Sequence, residues 1–333
     1  MSDLLETRAE IAKLARVLGT DVSELAYLEQ IDGQAIAAFR QQLLDIFYGS
    51  EGGGLEKFAK VGNLLPSSII ASLTKEAVGP VLASRIAGFI DAKQAAQVVG
   101  KLPTPFVADI AVEIDPRRIE PVISRLPDKT VDALAIELVN REEYVVMGQF
   151  VAFVNDSTLN HIFTNASDEA LLQIGFVTED KSRLSDALAT VSDERVISVI
   201  KTALAKHHWP EAIDLLCHLS DEQYLRLINI TAELDAKSLD QMIDNTNDPV
   251  LWQVLIPALA QMDDPTAPVA ALLRGNANAI KGFGSTIVED QAWDEVRELL
   301  DKLDERTRLD LRKRLASNKL ADAFEPVADV LVA

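Results

Sequence analysis

The sequence predicts an all-α protein built as a right-handed α-solenoid, a superhelix of short helical units of about twelve residues each. Three observations carry this. Helix-start residues recur along the chain at a nearly constant spacing. Apolar residues follow each start at the same offsets. Aromatic residues make up only 5% of a chain that is 48% hydrophobic, so the core must be packed from Ala, Val, Leu and Ile.

The starts are Asp91, Pro103, Asp115, Pro127, Asn155, Ser167, Asp180, Ser192, Ser220 and Asp235. After Asp115 the apolar residues are Ile119, Val122 and Ile123; after Pro127 they are Val131, Leu134 and Ala135; after Ser192 they are Val196, Val199 and Ile200. The same offsets after the other starts are apolar or aromatic throughout, Gly175 excepted. Offsets of four, seven and eight residues lie on one face of an α-helix. Asp, Asn and Ser at the start offer a side-chain oxygen to the free N–H groups of the first turn. Pro105 and Pro116 stand where a proline loses no helical bond. Acidic pairs such as Asp168-Glu169 and Asp193-Glu194 suit the N-terminal dipole. The longer intervals after Pro127 and Ser192 each hold a further unit, one beginning near Asn140 and one near His208. Helices of about 15 Å do not stand alone, so each must bury its stripe against like neighbours.

In chain order, residues 1–48 read as an N-terminal helical segment with helices over 6–18, 21–29 and 33–48. Residues 49–64 read as a loop or linker, because Gly52-Gly53-Gly54 is the strongest break in the chain. A phosphate-binding loop would need a preceding strand and a downstream Gly-Lys-Ser/Thr, and neither is present. Residues 65–282 form the solenoid. Its opening stretch, 67–90, reads as two buried helices carrying Ile69, Ile70, Leu73, Val81, Leu82 and Ile86, with Leu65 just before them. These seven residues are equally the candidate lining of an apolar groove for a lipid or small apolar molecule, since Gly79, Gly88 and several alanines permit close approach. Lys75, Glu76, Pro80 and Arg85 interrupt the stretch, so it is no transmembrane span. Gly282-Phe283-Gly284-Ser285 reads as a break, and 283–333 as charged capping helices over 289–303 and 305–315 with a more apolar end at 321–332.

Chemistry is sparse. The formal net charge of −20 opposes attraction to nucleic acid or anionic membranes. Cys217 is the one cysteine, so neither an intramolecular disulfide nor a cysteine-rich zinc site is available. His161, His207, His208 and His218 show no ligand spacing for zinc, and His208 falls at a unit start. No Gly-x-Ser-x-Gly elbow occurs, and the acidic residues are accounted for by helix starts and solvated faces. The expectation is a cytoplasmic, non-catalytic scaffold or regulatory module without a cofactor, binding a protein partner through one solenoid face. The N-terminus lacks the layout of a signal peptide.

The rhythm Ile114-Asp115-Pro116 … Leu126-Pro127-Asp128 resembles the cytosolic N-terminal domain of the MgtE magnesium transporters, over roughly residues 65–248; related short-helix repeats occur in the flagellar motor switch protein FliG. The resemblance implies a superhelix of short helices and, as a further alternative, sensing of a divalent cation such as Mg2+. It carries over no ligand residue, and the CBS and membrane parts of that family have no counterpart in this sequence.

Overall fold

The computed structural model describes residues 3–49, 59, 65–246 and 248–332, and among these every regular element is helical and none is a strand. The chain is all-α. Its Cα positions cluster into two compact units, Glu6–Thr190 and, together with Met1–Leu5, Val191–Ala333. The sequence placed its boundaries elsewhere, at 49–64 and at 282/283. Of the former, only Gly49 and Ala59 belong to the described residues.

The first unit holds α1 (Asp3–Leu18) from Glu6 onward, a 3-10 turn (Val22–Gln30) and α2 (Gly33–Gly49). Asp21 caps the 3-10 turn by accepting the Ser23 N–H at 2.8 Å. Ile11, Leu14, Ala15, Leu25 and Ile36 pack there into one cluster. The repeat follows: α3 (Ser67–Leu73), α4 (Pro80–Ala87), α5 (Ala92–Val99), α6 (Thr104–Val112), α7 (Glu120–Ile123), α8 (Asp128–Asn140), α9 (Tyr144–Phe150), α10 (Asp156–Asn165), α11 (Asp168–Val177) and α12 (Ser182–Ala189). Its packing rule is simple. Helices meet their next-but-one neighbours, α3 with α5, α4 with α6, α5 with α7, α6 with α8, α8 with α10, α9 with α11 and α10 with α12. The start residues work as caps: Asp91, Asn155 and Ser167 accept the N–H groups of Gln94, Thr158 and Ala170 at 3.0, 2.8 and 3.1 Å.

Three starts differ in detail. Asp115 opens a 3-10 turn, Pro116–Arg118, and the α-helix begins only at Glu120. Pro121 has no N–H to give to the carbonyl of residue 117, so one continuous α-helix cannot form. Asp180 lies one residue before the N-cap position, which Lys181 occupies, and takes the Ser182 N–H at 3.2 Å. Asn140 ends α8 rather than starting a unit; α9 begins at Tyr144 after Glu142 turns the chain at φ 58°.

The second unit holds α13 (Asp193–Ala205), α14 (Trp209–Leu216), α15 (Asp221–Ala232), α16 (Ala236–Asn245), α17 (Pro249–Gln261), α18 (Thr266–Arg274), α19 (Ala277–Asp290), α20 (Trp293–Lys302), α21 (Glu305–Ser317) and α22 (Ala328–Val332), the last preceded by a 3-10 turn, Asp322–Val327. Next-but-one contacts continue here, but contacts one helix further join them: α13 meets both α15 and α16, and α17 meets both α19 and α20. α17 is the centre. Leu251, Trp252, Val254, Leu255, Ile256, Ala258, Leu259 and Ala260 are all buried, so the helix is enclosed on every side.

The break expected at Gly282-Phe283-Gly284-Ser285 does not exist. These residues lie inside α19, and Phe283 is 1% exposed with its ring edge-on to Trp252 at 5.7 Å between centroids. The glycines serve close packing. A Cβ at position 282 would stand 2.7 Å from the Trp252 Nε1, and one at 284 would stand 2.6 Å from Leu320 Cδ1. The helix ends later, at Gln291, which takes the left-handed conformation (φ 57°). The helix expected over 289–303 therefore starts at Trp293.

Candidate functional site

The clearest concavity of apolar character lies among α3, α4, α5 and α6. Local sequence explains its walls. Pro66 precedes the first turn of α3, and the chain leaves that helix through a π turn, Thr74–Val78, closed by the Gly79 N–H donating to the Thr74 carbonyl at 2.9 Å. Gly79 holds φ 77°, a conformation open to glycine at no steric cost, and Pro80 then opens α4. The Gln94 side-chain amide donates to the Leu65 carbonyl at 2.7 Å, tying the approach to α3 onto α5. Ile70, Ala71 and Val98 form a small core cluster with Leu102 against it.

Between these helices lies a cavity of about 250 Å³. Of the candidate groove residues, Leu65, Ile70, Leu73 and Ile86 line it. Ile69, Val81 and Leu82 do not: they are 47%, 52% and 39% exposed, and Val81 borders a different cavity. The stretch is thus not two fully buried helices. Helix α3 is seven residues long, too short to bury more than one narrow stripe. Further lining comes from Val98 and Val99 at the end of α5, from Leu102 just after it, from Ile110 of α6 and from Ala59. Val98, Val99 and Ile110 stand at the repeat offsets, where the sequence marks them only as core. Thr74 is the one polar side chain among the lining residues.

No family model, curated protein or solved structure is significantly similar to this chain. The MgtE resemblance therefore rests on the repeat rhythm alone. The described residues contain no group of three or more His, Cys, Asp or Glu placed to hold a metal ion. Their conspicuous acids are occupied: Asp235 caps α16 through the Ser238 N–H at 3.0 Å, and Asp304 caps α21 through the Thr307 N–H at 2.6 Å. The histidines stay apart. His207 (φ 63°) reaches Asn245 Oδ1 at 3.1 Å, while His208 faces Glu211 at 3.3 Å within its own first turn. No described helix is long and apolar enough to cross a membrane.

A second feature was invisible to pattern reading. Large exposed hydrophobics concentrate near the N-terminus: Leu18, Val22, Tyr27, Ile31, Phe39, Leu65, Ile69, Leu73, Val81 and Leu82, with Ile136, Leu225 and Leu309 the others among the described residues. Tyr27 is 69% and Phe39 51% exposed.

Proposed function

We propose that the protein is a non-catalytic binding module that takes a protein partner on the apolar surface of its N-terminal part. The observation that carries this is the concentration of exposed large hydrophobics between residues 18 and 82. Scattered single exposures are ordinary on any surface, whereas ten of the thirteen large exposed hydrophobics among the described residues come from this one part of the chain. Tyr and Phe are the residue types that anchor interfaces. The chain's charge of −20 adds a bias toward partners with basic rims, acting on encounter rate and selectivity. The test compares the wild-type chain with a Tyr27→Asp/Phe39→Asp variant as bait in extract of the native host. One protein should copurify in stoichiometric amount with the wild type and be lost from the variant, while both baits give the same circular dichroism. Equal recovery on both baits would sink the reading.

A second reading, an apolar small molecule, has its own observation in the cavity among α3 to α6. A cavity of roughly 150 Å³ lined by aliphatic side chains stays dry and accepts benzene. At about 250 Å³ this one has room for an apolar body larger than a single ring. Native mass spectrometry of the purified protein should then show a bound mass that denaturation releases. Ile70→Trp, which fills the cavity, should abolish it.

A further inference from the structure

A different cavity, of about 530 Å³, opens beside α1, α2 and α4, and four arginines stand on its wall. Acids outnumber Lys and Arg by 52 to 32 overall. Around this cavity stand Arg16, paired with Glu143 at 3.0 Å, Arg40, Arg85 and Arg117, which pairs with Asp115, together with Glu113 and Glu179. Arg40 is the centre of the arrangement. Its side chain is only 6% exposed, and it shares the buried carboxylate of Glu10 (3.1 Å) with Lys13, whose ammonium lies 2.7 Å from the same group and is 3% exposed. Two buried cations thus meet one buried anion. A buried charge without full compensation is costly, and the remaining balance comes from Glu179 at 2.9 Å, which is 38% exposed at the cavity wall. The Arg40 Nε donates to Glu10 at 3.1 Å, and its Nη2 lies 3.1 Å from Glu10 and 2.9 Å from Glu179. The other arginines arrive from separate elements, Arg16 from the last turn of α1, Arg85 from α4 and Arg117 from the 3-10 turn after Asp115. Leu44, Val81, Val146 and Phe153 supply apolar wall.

We propose that this cavity binds a small organic anion, its carboxylate or phosphate head on Arg40 and Arg85 and its apolar body against Val81, Val146 and Phe153. Guanidinium forks match both oxyanions in planar, paired geometry. The volume falls within the range of small-molecule sites. The overall negative charge does not forbid the ligand, since fields from distant surface charges are screened beyond about 8 Å at physiological salt.

Isothermal titration of the full chain at constant ionic strength, with inorganic phosphate, acetate and hexanoate as probes and chloride as the reference salt, tests this. Saturable binding of phosphate would assign a phosphate head. Saturable binding of hexanoate, tighter than acetate, would assign a carboxylate head and place the apolar body on the wall. Arg85→Gln, at an exposed position, should weaken whichever probe binds at least fivefold, and Arg40→Gln should abolish binding, with its urea midpoint measured to separate loss of fold from loss of site. Absence of binding above chloride for every probe, or unchanged affinity in Arg85→Gln and in a folded Arg40→Gln, would overturn the proposal.

Discussion

Gly282 and Gly284 sit two positions apart in α19, and both would carry a Cβ into close contact, yet the two contacts differ in kind. At 282 the obstacle is the indole of Trp252, 1% exposed and held edge-on by Phe283. At 284 it is the tip of Leu320, a flexible and half-buried side chain. Alanine raises helix propensity by about 0.5–1 kcal/mol over glycine, and overpacking a rigid core costs about 1–3 kcal/mol. Gly282→Ala should therefore destabilise by roughly 1–2 kcal/mol in urea denaturation, while Gly284→Ala should be close to neutral. Charge at single residues gives a second prediction. The Lys201 ammonium, 2.7 Å away, and then the backbone N–H of Ser238 hold the Asp235 carboxyl well below the usual carboxylate range. Asp304 is lowered by its own cap bonds to Thr307. A carboxyl whose folded pKa is depressed stabilises the fold above its unfolded value, about 3.9, and loses that contribution as pH falls through the folded value. The urea midpoint should fall on acidification below about pH 4. Asp235→Asn, which can still cap but does not titrate, should fall less steeply.

Capping is what makes these helices legible, and it can be weighed element by element. The Ser167 hydroxyl accepts the Ala170 N–H at the start of α11. Ser167→Ala should cost about 1 kcal/mol, and Ser167→Gly only a few tenths, as read by thermal or urea unfolding. Starts of this type were found from sequence because the cap and the apolar offsets are local and repeat. Pro121 is equally local, but its effect, splitting one unit into a 3-10 turn and a four-residue helix, depends on which carbonyl is left without a donor. The glycines of α19 misled for the opposite reason. Glycine reads as a break until the tryptophan that needs the space is known, and Trp252 lies thirty positions away in sequence. The candidate cavity shows the same division. Leu65, Ile70, Leu73 and Ile86 come from one apolar stretch and were visible together, whereas Val98, Leu102 and Ile110 join them only through the packing of α3 on α5 and α4 on α6. The arginine cavity had no sequence signal at all, since Arg16, Arg40, Arg85 and Arg117 are spread over a hundred positions and meet in no motif.

At the scale of the molecule, Trp209, Trp252 and Trp293 are the only three tryptophans, and all lie in the Val191–Ala333 unit. Tryptophan emission therefore reports one unit while far-ultraviolet circular dichroism reports both. Chains of more than one compact unit commonly depart from a single two-state transition, so the two signals should give non-coincident transitions in urea; superimposable curves would show a single cooperative block. Fold class was readable at this scale because it follows from summed periodicity, whereas the division at 190/191 follows from contact density, which no local pattern records.

The next-but-one packing of the first unit has a bearing on how such a chain could change in length. The even helices α4 to α12 form one unbroken rank of next-but-one contacts, and the odd helices form a second in two runs, α3 to α7 and α9 to α11, with α8 also meeting α9. Gaining or losing one helix would exchange the ranks for everything downstream, setting each apolar stripe against the wrong neighbour. Gaining or losing two would keep parity and leave every interface of the same kind. Growth and loss in this unit should thus be counted in pairs of helices, about twenty-four residues at a time.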